Sequence, residues 1–117
     1  MTANRSFGVM TGALHTVIET EIYLRSAERL MTEAERAAVV DVLAADPFAG
    51  DVIPGTGGLR KVRVPLTGRG KRGGTRVITC FVSARGVYLL LAYAKNDQAN
   101  PTPAQAQALA RLVDTLF

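Results

Sequence analysis

At 117 residues, 48% hydrophobic and 21% charged, the chain has room for one modest core but not for a second catalytic domain, and its composition is neither disordered nor fibrous. Its longest apolar run, residues 87–94, is far short of the ~20 residues a membrane span needs, and no apolar leader follows Met1-Thr2-Ala3-Asn4-Arg5, so the cytoplasm is the expected compartment. Net charge is +4, yet residues 1–58 carry −4, residues 59–76 carry +7 with no acid among them, and the remainder carries +1; the whole basic excess sits in one stretch, as a footprint for a polyanion would.

A single domain over 1–117 is expected, with 1–12 a flexible extension in which Met10 offers an alternative start. Leu14, Thr16 and Ile18 alternate with His15, Val17 and Glu19, which predicts a short strand. Tyr23, Ala27, Leu30 and Met31 recur at helical spacing and predict a first helix from about residue 21. Thr32-Glu33-Ala34-Glu35 has the capping-box spacing, so a second helix starts there; it carries Val39, Val40 and Leu43 on one stripe and stops before Asp46-Pro47. The two helices form a hairpin.

From Gly50 onward, glycine and proline punctuate the chain. Residues 59–64 alternate, with Lys61 and Arg63 on one face and Val62 and Val64 on the other. Residues 75–82 are β-branched and aromatic enough for a strand, and residues 87–93 are apolar on both faces, as a central strand is. Ser83-Ala84-Arg85-Gly86 reads as the turn between them. Thr102 then caps a last helix with Pro103 at its first position and Ala106, Leu109, Leu112, Val113 and Leu116 as its buried stripe. The order β-α-α-β-β-β-α predicts an α+β domain whose helices pack on one face of a small antiparallel sheet.

Familiar site motifs fail here. Gly70-Lys71 lacks both the glycine five residues earlier, where Pro65 stands, and the hydroxyl residue after the lysine, where Arg72 stands. Gly55-Thr56-Gly57-Gly58 lacks a third glycine and precedes a strand, so no nucleotide cofactor is expected. One cysteine and one histidine are too few for a structural zinc site; Cys80 and His15 read as packed structural residues, and no metal is expected. What remains is a group of cations on neighbouring strands: Lys61 and Arg63, Arg76 on the next strand, and Lys95 with Tyr93 at the end of the last, with Arg69, Lys71 and Arg72 in a glycine-rich loop between. Cations beside an aromatic ring suit an RNA backbone and a stacked base.

Three stretches carry a resemblance: Gly50-Asp51-Val52-Ile53-Pro54-Gly55-Thr56-Gly57-Gly58-Leu59-Arg60-Lys61-Val62-Arg63, then Gly68-Arg69-Gly70-Lys71-Arg72-Gly73-Gly74-Thr75-Arg76-Val77-Ile78, then Leu90-Leu91-Ala92-Tyr93-Ala94-Lys95-Asn96. Together they closely resemble the HigB-like branch of the RelE superfamily, the toxins of type II toxin–antitoxin modules. The resemblance implies a RelE-like, microbial-ribonuclease-like fold and a cofactor-free, metal-independent endoribonuclease that cuts mRNA in the ribosomal A site by attack of a 2′-hydroxyl on the adjacent phosphate. It implies catalytic roles for Lys61, Arg63, Arg76, Tyr93 and Lys95: proton transfer at the basic strand pair of Lys61 and Arg63, transition-state stabilisation for Arg76, stacking or positioning of the base for Tyr93 and phosphate holding for Lys95. Arg60, Arg69, Lys71 and Arg72 would dock on RNA of the ribosome. The implied partners are a cognate antitoxin of helix-turn-helix type, the ribosome and mRNA, with DNA reached only through the antitoxin and no membrane. Thr79 and Cys80 stand where relatives often carry tyrosines, which leaves a second expectation: a catalytically weakened RNA- or antitoxin-binding module of the same fold, acting as a co-repressor.

Overall fold

The structure, a computed structural model, describes residues 14–64, 74–95, 97–98 and 100–116. The predicted extension over 1–12 lies outside them. Chain order is β1 (Val17–Glu19), α1 (Glu21–Leu30), α2 (Glu33–Ala45), β2 (Asp51–Val52), β3 (Arg60–Val64), β4 (Thr75–Val82), β5 (Gly86–Ala94) and α3 (Pro103–Leu116). The strands form one sheet in the order β1-β5-β4-β3-β2.

The helical hairpin forms for local reasons. Thr20 caps α1, its hydroxyl accepting from the Tyr23 N–H at 3.2 Å while donating to the Leu89 carbonyl at 2.7 Å, so one side chain starts the helix and pins it to β5. Thr32 and Glu35 complete the capping box of α2: the Glu35 N–H donates to the Thr32 hydroxyl at 3.1 Å and the Thr32 N–H to the Glu35 carboxylate at 2.8 Å. The helix ends at Ala45, just before Asp46-Pro47.

The class is α+β as predicted, but three details of the sheet differ. β1 pairs with β5 in parallel, Val17 opposite Val87, which makes the sheet mixed. This pairing joins segments about 70 residues apart with no turn between them, so no local sequence signal marks it. It also needs Gly86: at φ +123° this residue brings its backbone against Thr16, where a Cβ would collide with the Thr16 carbonyl. The second difference is β2, two exposed residues added antiparallel to β3 at the sheet edge.

The third difference is the larger one: the helices cover both faces. Tyr23, Ala27, Val39 and Leu43 of the hairpin bury one face together with Val17, Val62, Val77, Val87, Leu89 and Ala92. Leu109 of α3 buries the other with Leu59, Ile78, Cys80, Leu90 and Tyr93. The reason is in β4 and β5, whose apolar residues point both ways and cannot leave either face to water.

One irregularity sets how β5 serves those two cores. The β4–β5 register runs Ile78 opposite Leu91 and Thr79 opposite Leu89, so Leu90 is an extra residue, a β-bulge. Strand alternation breaks there: Leu90 and Leu91 both pack toward α3, and Tyr93 follows them to that face. Beyond Leu89, where β1 has ended, the Ala92 N–H donates to the buried Ser26 hydroxyl at 2.9 Å, which keeps the free side of β5 satisfied.

Candidate active site

The sheet register brings four of the predicted residues together. Arg63 on β3 stands opposite Arg76 on β4, and Arg76 opposite Tyr93 on β5, so three side chains form one cross-strand row. Neighbours in such a row lie roughly 5 Å apart at Cβ. Lys61 shares their face two residues along β3, about 7 Å further on. The row crosses the α3 side of the sheet at its end, next to the last β3–β4 pair, Val64 and Thr75.

Exposure is graded along the row. Arg63 is exposed and Lys61 half-buried, whereas Arg76 is 9% and Tyr93 6% exposed. The Tyr93 ring belongs to the core under α3, with Leu59, Ile78, Leu90 and Leu109. Burial pushes its hydroxyl above the usual phenol range, and the charge of Arg76 opposes that shift. A ring so enclosed packs behind the Arg76 guanidinium with little of its face open, a place from which it can position a neighbour more readily than stack on a base.

The other predicted residues lie elsewhere. Lys95 falls one step past β5; its backbone N–H donates to the Gly74 carbonyl at 3.2 Å and its side chain is exposed in the turn that follows. Arg60 is on the opposite face of β3. Its guanidinium donates to the carbonyls of Phe48 at 3.1 Å and Gly50 at 3.0 Å and lies 5.4 Å from the centre of the Phe48 ring. Those bonds make Arg60 a clamp on the α2–β2 connection, on the far side from the row. Phe48 in turn meets Phe81 at 4.7 Å between ring centres, and Phe81 meets His15 edge-on at 6.0 Å, so His15 is part of a packed aromatic cluster. Arg69, Lys71 and Arg72 lie outside the described residues, in the stretch joining β3 to β4.

Residues 23–117 match the RelE toxin of the RelE / RelB toxin–antitoxin system. The chain belongs to the RelE toxin family. It is thus a toxin of a toxin–antitoxin system, a family generally made of endoribonucleases whose members have an antitoxin partner.

The two departures within this RelE toxin separate in the structure. Thr79 is fully buried and stands opposite Arg60 and Leu89, on the hairpin side, where its hydroxyl has no hydrogen-bond partner. Cys80 faces α3 inside the core, and burial, with Asp114 adding to it, pushes its thiol up and away from the reactive thiolate. Neither belongs to the row. Among the described residues no three His, Cys, Asp or Glu side chains gather as metal ligands, and no helix is long and apolar enough to cross a membrane.

One residue that touches the row's neighbourhood carries little signal in the sequence. Lys61 Nζ donates to the Asn100 side-chain carbonyl, in the connection between β5 and α3. A lone asparagine in a loop carries no periodicity, and its only cue is its place just ahead of the Pro101-Thr102-Pro103 helix start.

Proposed function

We propose that this toxin is a metal-independent endoribonuclease of the HigB-like branch, acting on mRNA in the ribosomal A site. The observation that carries the reading is the Arg63–Arg76–Tyr93 row with Lys61 beside it on one face of the sheet. In the reaction the 2′-oxygen of one nucleotide forms a bond to the adjacent phosphorus, the bond from phosphorus to the 5′-oxygen breaks, and the 2′-proton is delivered by way of the site to that 5′-oxygen. The products are a cyclic phosphate and a free 5′-hydroxyl. The trigonal-bipyramidal phosphorus gathers negative charge, and two guanidiniums side by side on rigid strands meet it without reorganising. Arg76, almost wholly enclosed, carries the larger share; Arg63, exposed, admits the phosphate; Lys61 supplies the mobile proton and a third cation. Lys95 holds an adjoining phosphate, and Arg69, Lys71 and Arg72 face ribosomal RNA.

The seat of Thr79 on the hairpin side weighs against a site weakened by loss of an aromatic there. Cleavage of mRNA on programmed ribosomes by the purified protein, with and without EDTA, tests the proposal. Ribosome-dependent cuts with cyclic phosphate ends that survive EDTA are expected. Folded, antitoxin-binding protein that leaves the mRNA intact would replace the nuclease with a binding module.

A further inference from the structure

The connection from β5 to α3 leaves the sheet at Ala94, beside Tyr93, and reaches Lys61 on β3, two strand spacings or about 10 Å away. Asn100 makes that contact, its side-chain carbonyl accepting from Lys61 Nζ. The Asn100 backbone carbonyl accepts from Gln98 Nε2 at 3.0 Å, and the same Gln98 nitrogen donates to Gln105 Oε1 at 2.9 Å. Gln105 lies in the first turn of α3, where its Oε1 accepts from the Thr102 N–H and its own N–H donates to the Thr102 hydroxyl, both at 3.0 Å. An unbroken series of hydrogen bonds therefore joins the Lys61 ammonium to the start of α3.

The geometry points to Asn100 as a positioning residue: its neutral carbonyl fixes the Lys61 ammonium alongside the Arg63–Arg76–Tyr93 row, and the amide series through Gln98 and Gln105 makes that position depend on α3 being seated. Lysine is a point charge on a long flexible stem and is not oriented by its own chemistry. A carboxylate in the place of Asn100 would also hold the ammonium, but it would cancel the charge that a phosphate must meet. An amide orients the cation and leaves its charge available. The purpose of this arrangement rests on the nuclease reading above, but its existence does not.

The chain has only three lysines, Lys61, Lys71 and Lys95, so a full-length sample carrying ¹³C at the lysine ε-carbons gives a readable spectrum, assigned with Lys61→Arg. The two ε-protons of Lys61 are expected to be distinct in the wild type and to merge in Asn100→Ala, with the backbone amide spectrum away from residue 100 unchanged. Gln98→Ala, which cuts the link to α3, is expected to broaden the Lys61 signal in the same direction. In the ribosome assay Asn100→Ala is expected to lower kcat about ten- to a hundredfold with KM nearly unchanged, the mark of a misplaced group and not of lost binding. Lys61 ε-protons that are already equivalent in the wild type, or untouched by Asn100→Ala, would overturn the inference. A wild type that cuts no RNA while the Lys61 signal still responds to Asn100→Ala would overturn the nuclease reading and leave the positioning intact.

Discussion

In the proposed reaction a guanidinium as shielded from water as Arg76 would meet a phosphate through a medium of low effective dielectric, where its charge counts for more than that of an exposed arginine. Arg76→Ala is accordingly expected to lower mRNA cleavage by about 10²- to 10³-fold and to relieve growth arrest on expression without antitoxin. Arg76→Lys, which keeps the charge and loses the planar fork, falls between. Circular dichroism of both variants separates this loss from misfolding. On the hairpin side, Tyr23 presents the opposite case, a buried polar group with nothing to gain. Its ring is fully enclosed, its hydroxyl has no hydrogen-bond partner, and burial, with Glu19 adding and Arg36 opposing, pushes that hydroxyl well above the usual phenol range. Tyr23→Phe removes the unpaired hydroxyl and is expected to raise stability by about 1 kcal/mol in urea unfolding. The pH dependence follows in sign. Because the folded pKa exceeds the unfolded value near 10, the stability tied to the neutral phenol is complete below pH 10 and is lost as the pH rises above it. The wild type should therefore weaken above pH 10 more steeply than Tyr23→Phe.

Among the elements, those legible in the sequence were the ones specified locally. The Thr32–Glu35 capping box, the Asp46-Pro47 stop and the Thr102-Pro103 start each mark a helix end with a few neighbouring residues, and both observed boundaries of α2 coincide with them. The strand alternation that set Lys61 and Arg63 on one face of β3 holds as well. Three things were not legible. The parallel β1–β5 pairing is made by backbone groups far apart in sequence, the side of the sheet taken by α3 depends on which face the hairpin leaves uncovered, and Arg60 joins the docking residues only until Phe48 and Gly50 are seen to accept its hydrogen bonds. The β1–β5 junction can be tested at Gly86. Gly86→Ala introduces a Cβ against the Thr16 carbonyl at a φ of +123°, and a cost of about 1–3 kcal/mol is expected for the strained backbone alone. The Val87 N–H, which donates to the Thr16 carbonyl at 2.9 Å, should then exchange with solvent markedly faster than in the wild type.

Across the whole molecule, the sheet divides opposite charges. The hairpin on one side exposes Glu21, Glu28, Glu33 and Asp41 beside Arg25 and Arg29, while the other side presents the Arg63–Arg76 pair with Lys61. A molecule charged in this way approaches a polyanion in one orientation. Affinity for a single-stranded RNA oligonucleotide is expected to fall steeply as salt rises, and Arg63→Ala, which removes one exposed cation, should flatten the slope of log K against log salt by about 0.7. The bulge at Leu90 carries a consequence for how such a site is inherited. The surplus residue is set aside by the bulge, so Leu89 and Leu91 stand opposite neighbouring residues of β4 and Tyr93 stays opposite Arg76. Loss of the single codon for Leu90 would straighten the strand and leave that pairing as it is, whereas one more residue between Leu91 and Tyr93 would turn the ring to the hairpin side. Position 90 is thus the place in β5 where the reading length has slack, and the three residues after it are where it has none.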